Sequence, residues 1–268
     1  MRTTPDLATV LAVGNEARRR HLPFAAHPVA GPDSLIEAHV GSVEHLLAYP
    51  PIKLPARERQ ELFRRVAASG MFLSDTSANI PGLELSVEQA RARLADTSGQ
   101  LDPWRKYVCG YLVRDWREQA EELKDMPKTF GQDMAAGYRD SRDAKKAGVP
   151  FLAGTDVAVL FIYPGFSLHD ELAALVNNLG FTAMEALRIA TYNPLVFYSQ
   201  ERTGGAIEAG QPADLVLLDA DPTQDIHNSK EISGVMSSGR WFDRKALDGL
   251  LSQVEQHAQS DCSDIPLQ

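Results

Sequence analysis

An α/β fold built on a parallel sheet or barrel, followed by a small β unit, is what this 268-residue sequence predicts. Three observations lead there. From about residue 5 to 200, short apolar runs alternate with amphipathic helical stretches, the rhythm of parallel α/β architecture. Several of those runs end on a residue that can do chemistry: Phe24-Ala25-Ala26-His27, Ser42-Val43-Glu44-His45, and Ala147 to Asp156 with its closing Gly154-Thr155-Asp156. Beyond Gly204-Gly205 the apolar period switches from helical spacing to two, with Gly, Pro and Ser at the turns.

Taken in order, Pro5-Asp6 opens a helix with Leu7, Val10 and Leu11 on one face and the basic end Arg18-Arg19-Arg20. Leu22 to Ala26 is the first strand, Ser34 to Val40 a helix stopped by Gly41, and Val43 to His45 the second strand. A Pro-rich link at Tyr49-Pro50-Pro51 leads to a helix carrying Leu62, Phe63 and Val66, which ends near Gly70. Met71 to Ser74 is the third strand. Residues 86 to 146 are charged and mostly helical, with Trp104, Tyr107, Tyr111, Leu112 and Trp116 as anchors; they read as an insertion or as a solvated helical pair. Phe151 to Ala153 is the fourth strand. Ser167-Leu168-His169-Asp170 and Thr182-Ala183-Met184-Glu185 read as capping boxes, and Asn193-Pro194 stops the second of their helices. Ala206 to Glu208, Leu215 to Leu218, Ile232 to Met236 and Arg240 to Phe242 form the β unit, and Asp243 to Gln256 a closing helix before a tail from Ser260. The expected division is 1–200 for the α/β part with its insertion at about 86–146, 201–247 for the β unit, and 248–268 for the last helix and tail.

Composition narrows the function. At 44% hydrophobic and 24% charged, the chain is an ordinary globular one. A net charge of −9 argues against a nucleic-acid surface. Two cysteines, Cys109 and Cys262, make no disulfide framework or thiolate metal site. The longest apolar run, Val157 to Tyr163, is too short to span a bilayer, and no export signal is read at Met1 to Asp6. The expectation is a cytoplasmic protein with no membrane and no nucleic-acid partner.

Two imidazoles and a carboxylate closing apolar strands are nitrogen and oxygen ligands suited to a divalent transition metal. In a barrel of parallel strands those C-terminal strand ends form the active-site mouth. Each residue also has a plainer reading, since a strand-ending Asp often caps the next helix. His169 stands at a helix start where it could touch substrate or serve as a cap contact. Tyr163, on the apolar loop before it, is a substrate contact or a packing residue. Asp75 and Thr76, just past the third strand, either line the same mouth or are ordinary loop residues.

The segment Ala153-Gly154-Thr155-Asp156, Pro164-Gly165-Phe166-Ser167-Leu168-His169-x-Glu171-Leu172, Thr182-x-x-Glu185-Ala186-Leu187, Ala190-Thr191-x-Asn193-Pro194 and Gly205-x-Ile207-x-x-Gly210-x-x-Ala213-Asp214-Leu215-Val216 resembles the amidohydrolase superfamily, in its imidazolonepropionase-like and prolidase-like group. The resemblance covers about residues 5 to 250. It implies strands 5 to 8 of a (β/α)8 barrel followed by part of a β-sandwich. It also implies His27 and His45 as metal ligands at the ends of strands 5 and 6, and Asp156 as metal ligand and catalytic base at the end of strand 8. The cofactor implied is a divalent metal, zinc foremost, as one or two ions. The activity implied is hydrolysis of a carbon–nitrogen bond in a small amide or dipeptide-like substrate. The sequence departs from the family in having no His-x-His pair and no strand for the bridging lysine. It therefore reads as the C-terminal half of such an enzyme, with a truncated, inactive fragment as the alternative. The open barrel edge at Leu22 to Ala26 is expected to drive self-association or homo-oligomerisation.

Overall fold

A computed structural model describes residues 6–28, 31–45, 52–108, 110–199 and 204–261. The Pro-rich link at 49–51 and the end of the tail lie outside these residues. The chain folds as two compact units, each assembled from three separate segments: Met1–Ser77, Thr129–Gly154 and Glu171–Gln211 in the first, and Ala78–Lys128, Thr155–Asp170 and Pro212–Gln268 in the second.

In the first unit Asp6 caps helix α1 (Leu7–Arg19) by accepting the Thr9 amide at 2.7 Å, and Arg18 and Arg19 occupy its last turn, where the helix dipole favours cations. Strand β1 (Ala25–Ala26) is followed by helix α2 (Pro32–Glu37), which starts at Pro32 because proline suits the first helical position. Strand β2 (Ser42–Glu44), helix α3 (Ala56–Ser69) and strand β3 (Phe72–Ser74) follow, with Gly70 in the left-handed conformation that closes α3.

The segment between β3 and the next strand is helical, as expected from 86–146, but it is divided between the units. Short α4 (Ile80–Leu83), α5 (Val87–Ala95) and α6 (Gly110–Glu122) belong to the second unit, whereas α7 (Phe130–Lys146) belongs to the first. Helix α7 packs on α3, and a buried ion pair between Arg59 and Asp143 at 2.8 Å joins the two. Strand β4 (Phe151–Leu152) completes a four-stranded sheet in the order β1-β2-β3-β4, every neighbouring pair parallel. Its register aligns Ala26 with Val43, Val43 with Leu73, and Leu73 with Phe151. Val43, Leu73 and Phe151 are buried together with Leu62, Phe63 and Val66 of α3, as a covered parallel sheet requires.

Helix α8 (Ser167–Asn177) begins at Ser167 itself, so the expected Ser167–Asp170 capping box is not formed. The Ser167 hydroxyl instead accepts the Tyr163 amide at 2.9 Å. Helix α9 (Ala183–Thr191) does carry its box: Thr182 and Glu185 exchange side-chain and backbone hydrogen bonds. Short α10 (Asn193–Phe197) follows, and Asn193 donates to the Phe151 carbonyl at 2.8 Å, tying it to β4.

The second unit has its own core, in which Leu94, Leu112, Val113, Trp116, Leu160 and Phe161 are buried. Strands β5 (Leu215–Leu218), β6 (Ile232–Ser237) and β7 (Arg240–Asp243) form an antiparallel sheet in that order. The β6–β7 hairpin turns on Ser238 and Gly239, both at positive φ, the pairing that suits the twist of a two-residue hairpin. The expected strand at Ala206 to Glu208 is absent: Ala206 is a bend, and Ile207 and Glu208 are irregular and lead into the turn at 209–210. Helix α11 (Arg244–Asp261) runs beyond its expected end and is joined through Glu255 to Lys106 at 2.9 Å.

Candidate metal centre

Parallel strands deliver their C-terminal residues to one side of the sheet, and here β1 and β2 deliver histidines. His27 and His45 stack with ring centroids 4.9 Å apart and planes 18° from parallel. Their Nε2 atoms stand 3.0 Å apart. Two imidazole nitrogens each about 2.0–2.1 Å from one zinc ion, at an angle between octahedral and tetrahedral, would lie roughly 2.9–3.4 Å from one another. The pair thus fits adjacent ligands of a single ion. His45 has φ 68°, a left-handed backbone uncommon for a residue with a side chain, and its Nδ1 lies 2.9 Å from the Thr76 hydroxyl.

Thr76 comes from the turn after β3. Asp75 in the same turn is 2% exposed and accepts hydrogen bonds from the hydroxyls of Ser77 and of Ser141 on α7, the latter at 2.5 Å. Burial holds the Asp75 carboxyl above its ordinary pKa, against the pull of the Ser141 and Ser77 hydrogen bonds. Gly154, past the end of β4, abuts the Ser74 hydroxyl so closely that any Cβ there would collide with it. The third and fourth strand ends are therefore fixed to one another by packing.

The other predicted residues lie in the second unit. Asp156 sits in the turn after β4 at φ 57°, half-buried, its carbonyl accepting the Val159 amide at 3.1 Å. Tyr163 is buried in that unit's core, edge-on to Trp116, and its hydroxyl donates to Asp102 at 2.7 Å. Burial, and then Asp102, push its pKa far up. His169 is half-buried in the first turn of α8, with Nδ1 3.0 Å from the Ser229 hydroxyl. Burial, with the Lys230 charge adding to it, lowers its pKa, so the ring is neutral over a wider range than an ordinary histidine. Among the described residues no three His, Cys, Asp or Glu side chains are gathered closely enough to hold a metal ion. The geometry brings together the two histidines and, behind them, Thr76.

Ser141 was not anticipated from sequence. It meets Asp75 across 66 positions, and nothing in its own neighbourhood on α7 marks it. The usable signal was on the other side: a carboxylate placed directly after the apolar run Met71 to Ser74 needs a buried donor.

Comparison with known proteins identifies the family and shows likeness of fold. The model of the amidohydrolase family matches residues 3–242. Ochratoxinase of Aspergillus niger is 35% identical over 103 residues, a match covering 37% of this chain and 20% of that enzyme. Among solved structures, a bottromycin amidohydrolase superposes with a TM-score of 0.63 at 22% identity, covering 92% of this chain and 56% of the other. An Xaa-Pro dipeptidase superposes with a TM-score of 0.57 at 22% identity, over 87% of this chain and 48% of its own. The likeness to these structures is one of fold, and the chain spans about half of their length. No described helix is long and apolar enough to cross a membrane.

Proposed function

We propose that this chain, which belongs to the amidohydrolase family, serves the hydrolysis of a carbon–nitrogen bond in a small amide or dipeptide-like substrate. The observation that carries the reading is the meeting of His27 and His45 through their Nε2 atoms at the C-terminal ends of β1 and β2. The names of its relatives, an ochratoxinase, an amidohydrolase and a dipeptidase, support the same class of bond. In this reading β1 to β4 are the last four strands of an eight-stranded barrel, and β5 to β7 one part of a β-sandwich.

His27 and His45 are the residues that would hold a metal, and it is the family resemblance, not their placement, that adds Asp156 as a further ligand. A divalent ion such as zinc, held there, would lower the pKa of a bound water to about 7 and polarise the carbonyl under attack. The protein's own part is to hold and to move protons. His45 is held in one orientation through Nδ1, as ligand histidines generally are. Asp156 would take the proton of the attacking water and return it to the leaving nitrogen, the role the family resemblance gives it. His169 and Tyr163 are the proposed substrate-side residues. His169, its pKa lowered first by burial, offers a ring nitrogen at the start of α8. Tyr163 acts from behind, by fixing the loop that precedes that helix. A cytoplasmic setting belongs to the same proposal and is supported by a sequence with two cysteines and no disulfide framework. Pairing of two copies along the β1 edge belongs to it as well.

Zinc titration of the metal-free chain, followed by assays on N-acyl amino acids and dipeptides, tests the reading. Zinc is expected to bind, and His27→Ala and His45→Ala to abolish that binding. Asp156→Asn is expected to lower kcat by about 10²- to 10⁴-fold, the usual worth of a positioned proton carrier. A chain that takes up no divalent metal and turns over none of these substrates would overturn it.

A further inference from the structure

We infer that Thr76 is a positioning residue that sets the tautomer of His45, keeping the proton on Nδ1 so that the Nε2 lone pair is the one turned toward His27. The inference deepens the proposed metal-site reading and rests on it for the choice of Nδ1 as the donor and for its consequence in zinc affinity. Three observations carry it.

The first is the contact itself. His45 Nδ1 and Thr76 Oγ1 are 2.9 Å apart, and Thr76 is 4% exposed, so water has little access to that bond. A neutral imidazole has one N–H and one bare nitrogen, and the partner of one nitrogen decides the state of the other. With Thr76 Oγ1 accepting, Nδ1 keeps the proton and Nε2 is bare. With the hydroxyl donating instead, Nε2 would carry the proton and meet His27 Nε2, 3.0 Å away, as a donor.

The second is the backbone. Thr76 has φ 54°, and a β-branched residue in the left-handed region is strained. Glycine would sit there freely. What threonine adds at that position is its side chain, and the hydroxyl of that side chain lies on His45.

The third is the anchoring of the turn. Asp75 accepts from Ser77 within the turn and from Ser141 on α7, and both its flanking residues Ser74 and Thr76 are buried. The hydroxyl of Thr76 is thereby held at a fixed distance from β2 rather than carried on a loose loop.

The test is the ¹⁵N–¹H long-range correlation spectrum of the histidine rings in the metal-free chain, recorded where the rings are neutral, beside zinc affinity from chelator competition. The native chain is expected to show His45 protonated on Nδ1. Thr76→Val, which keeps the shape, and Thr76→Gly, which also removes the backbone strain, are both expected to move that proton to Nε2. Both are expected to weaken zinc by about 10- to 100-fold, the usual cost of losing a ligand's supporting partner. Thr76→Ser is expected to restore the tautomer and the affinity. A native spectrum with the proton on Nε2, or valine and glycine variants with unchanged spectra, overturns the inference. A tautomer that follows the hydroxyl in a chain that binds no zinc sustains it and overturns the metal reading instead.

Discussion

At Asp75 a carboxyl with almost no solvent contact depends on two serine hydroxyls. Its pKa is raised by burial, so the folded state holds a proton that the unfolded chain releases near the ordinary carboxylate value. The sign follows from linkage: stability from this group is full below the unfolded pKa and is lost as pH rises through the raised folded one. Urea unfolding at a series of pH values should show the native chain losing stability upward from about pH 4. Asp75→Asn, which keeps the shape without the charge, should flatten that slope. Tyr163 gives a second prediction at this scale. Tyr163→Phe leaves the buried Asp102 without its 2.7 Å hydroxyl donor and with Arg93 at 2.9 Å still in place. The expected loss is about 1–3 kcal/mol, read from denaturant midpoints. Histidines 27 and 45 were legible in sequence because each closes an apolar strand. The Tyr163–Asp102 bond was not, because it joins residues 61 apart and local pattern carries no trace of such a meeting.

At the scale of the element, local chemistry decides most boundaries. Thr182 and Glu185 form the box their spacing announces, and Thr182→Ala should cost about 1 kcal/mol in thermal or denaturant unfolding. Ser86 and Gln89 form an equal box at the start of α5, readable from the same spacing. Ser167 shows why spacing alone does not suffice: its hydroxyl is already engaged by the Tyr163 amide, four residues back, so the helix begins at the serine rather than after it. Ala206 to Glu208 alternates like a strand and yet forms none, since alternation needs a neighbouring strand to pair with. Close approach fixes other positions. A Cβ on Gly82 would lie 2.7 Å from the Leu160 carbonyl oxygen, and Gly82→Ala should destabilise the second unit by about 1–3 kcal/mol through overpacking.

For the whole molecule, the parallel order of the first four strands was legible because helices separate them, and parallel pairing needs such crossovers. The division into two units was not, because each is stitched from three stretches of chain. Strand β1 lies at one edge of its sheet, with Ala25 exposed and Leu22 beside it at 59%. Such an edge invites pairing with another copy. Sedimentation over a concentration series should show reversible association, and a monomer at every concentration would contradict it. The stitched layout also governs the order in which the molecule can be made. Strand β1 meets β2 across only 17 residues, Ala25 with Ser42, whereas β3 must wait for β4 across 78, Leu73 with Phe151. A chain emerging from the ribosome will therefore have produced all of residues 78–128 before its third strand finds the fourth, and a pairing that distant is the one expected to set the pace of folding.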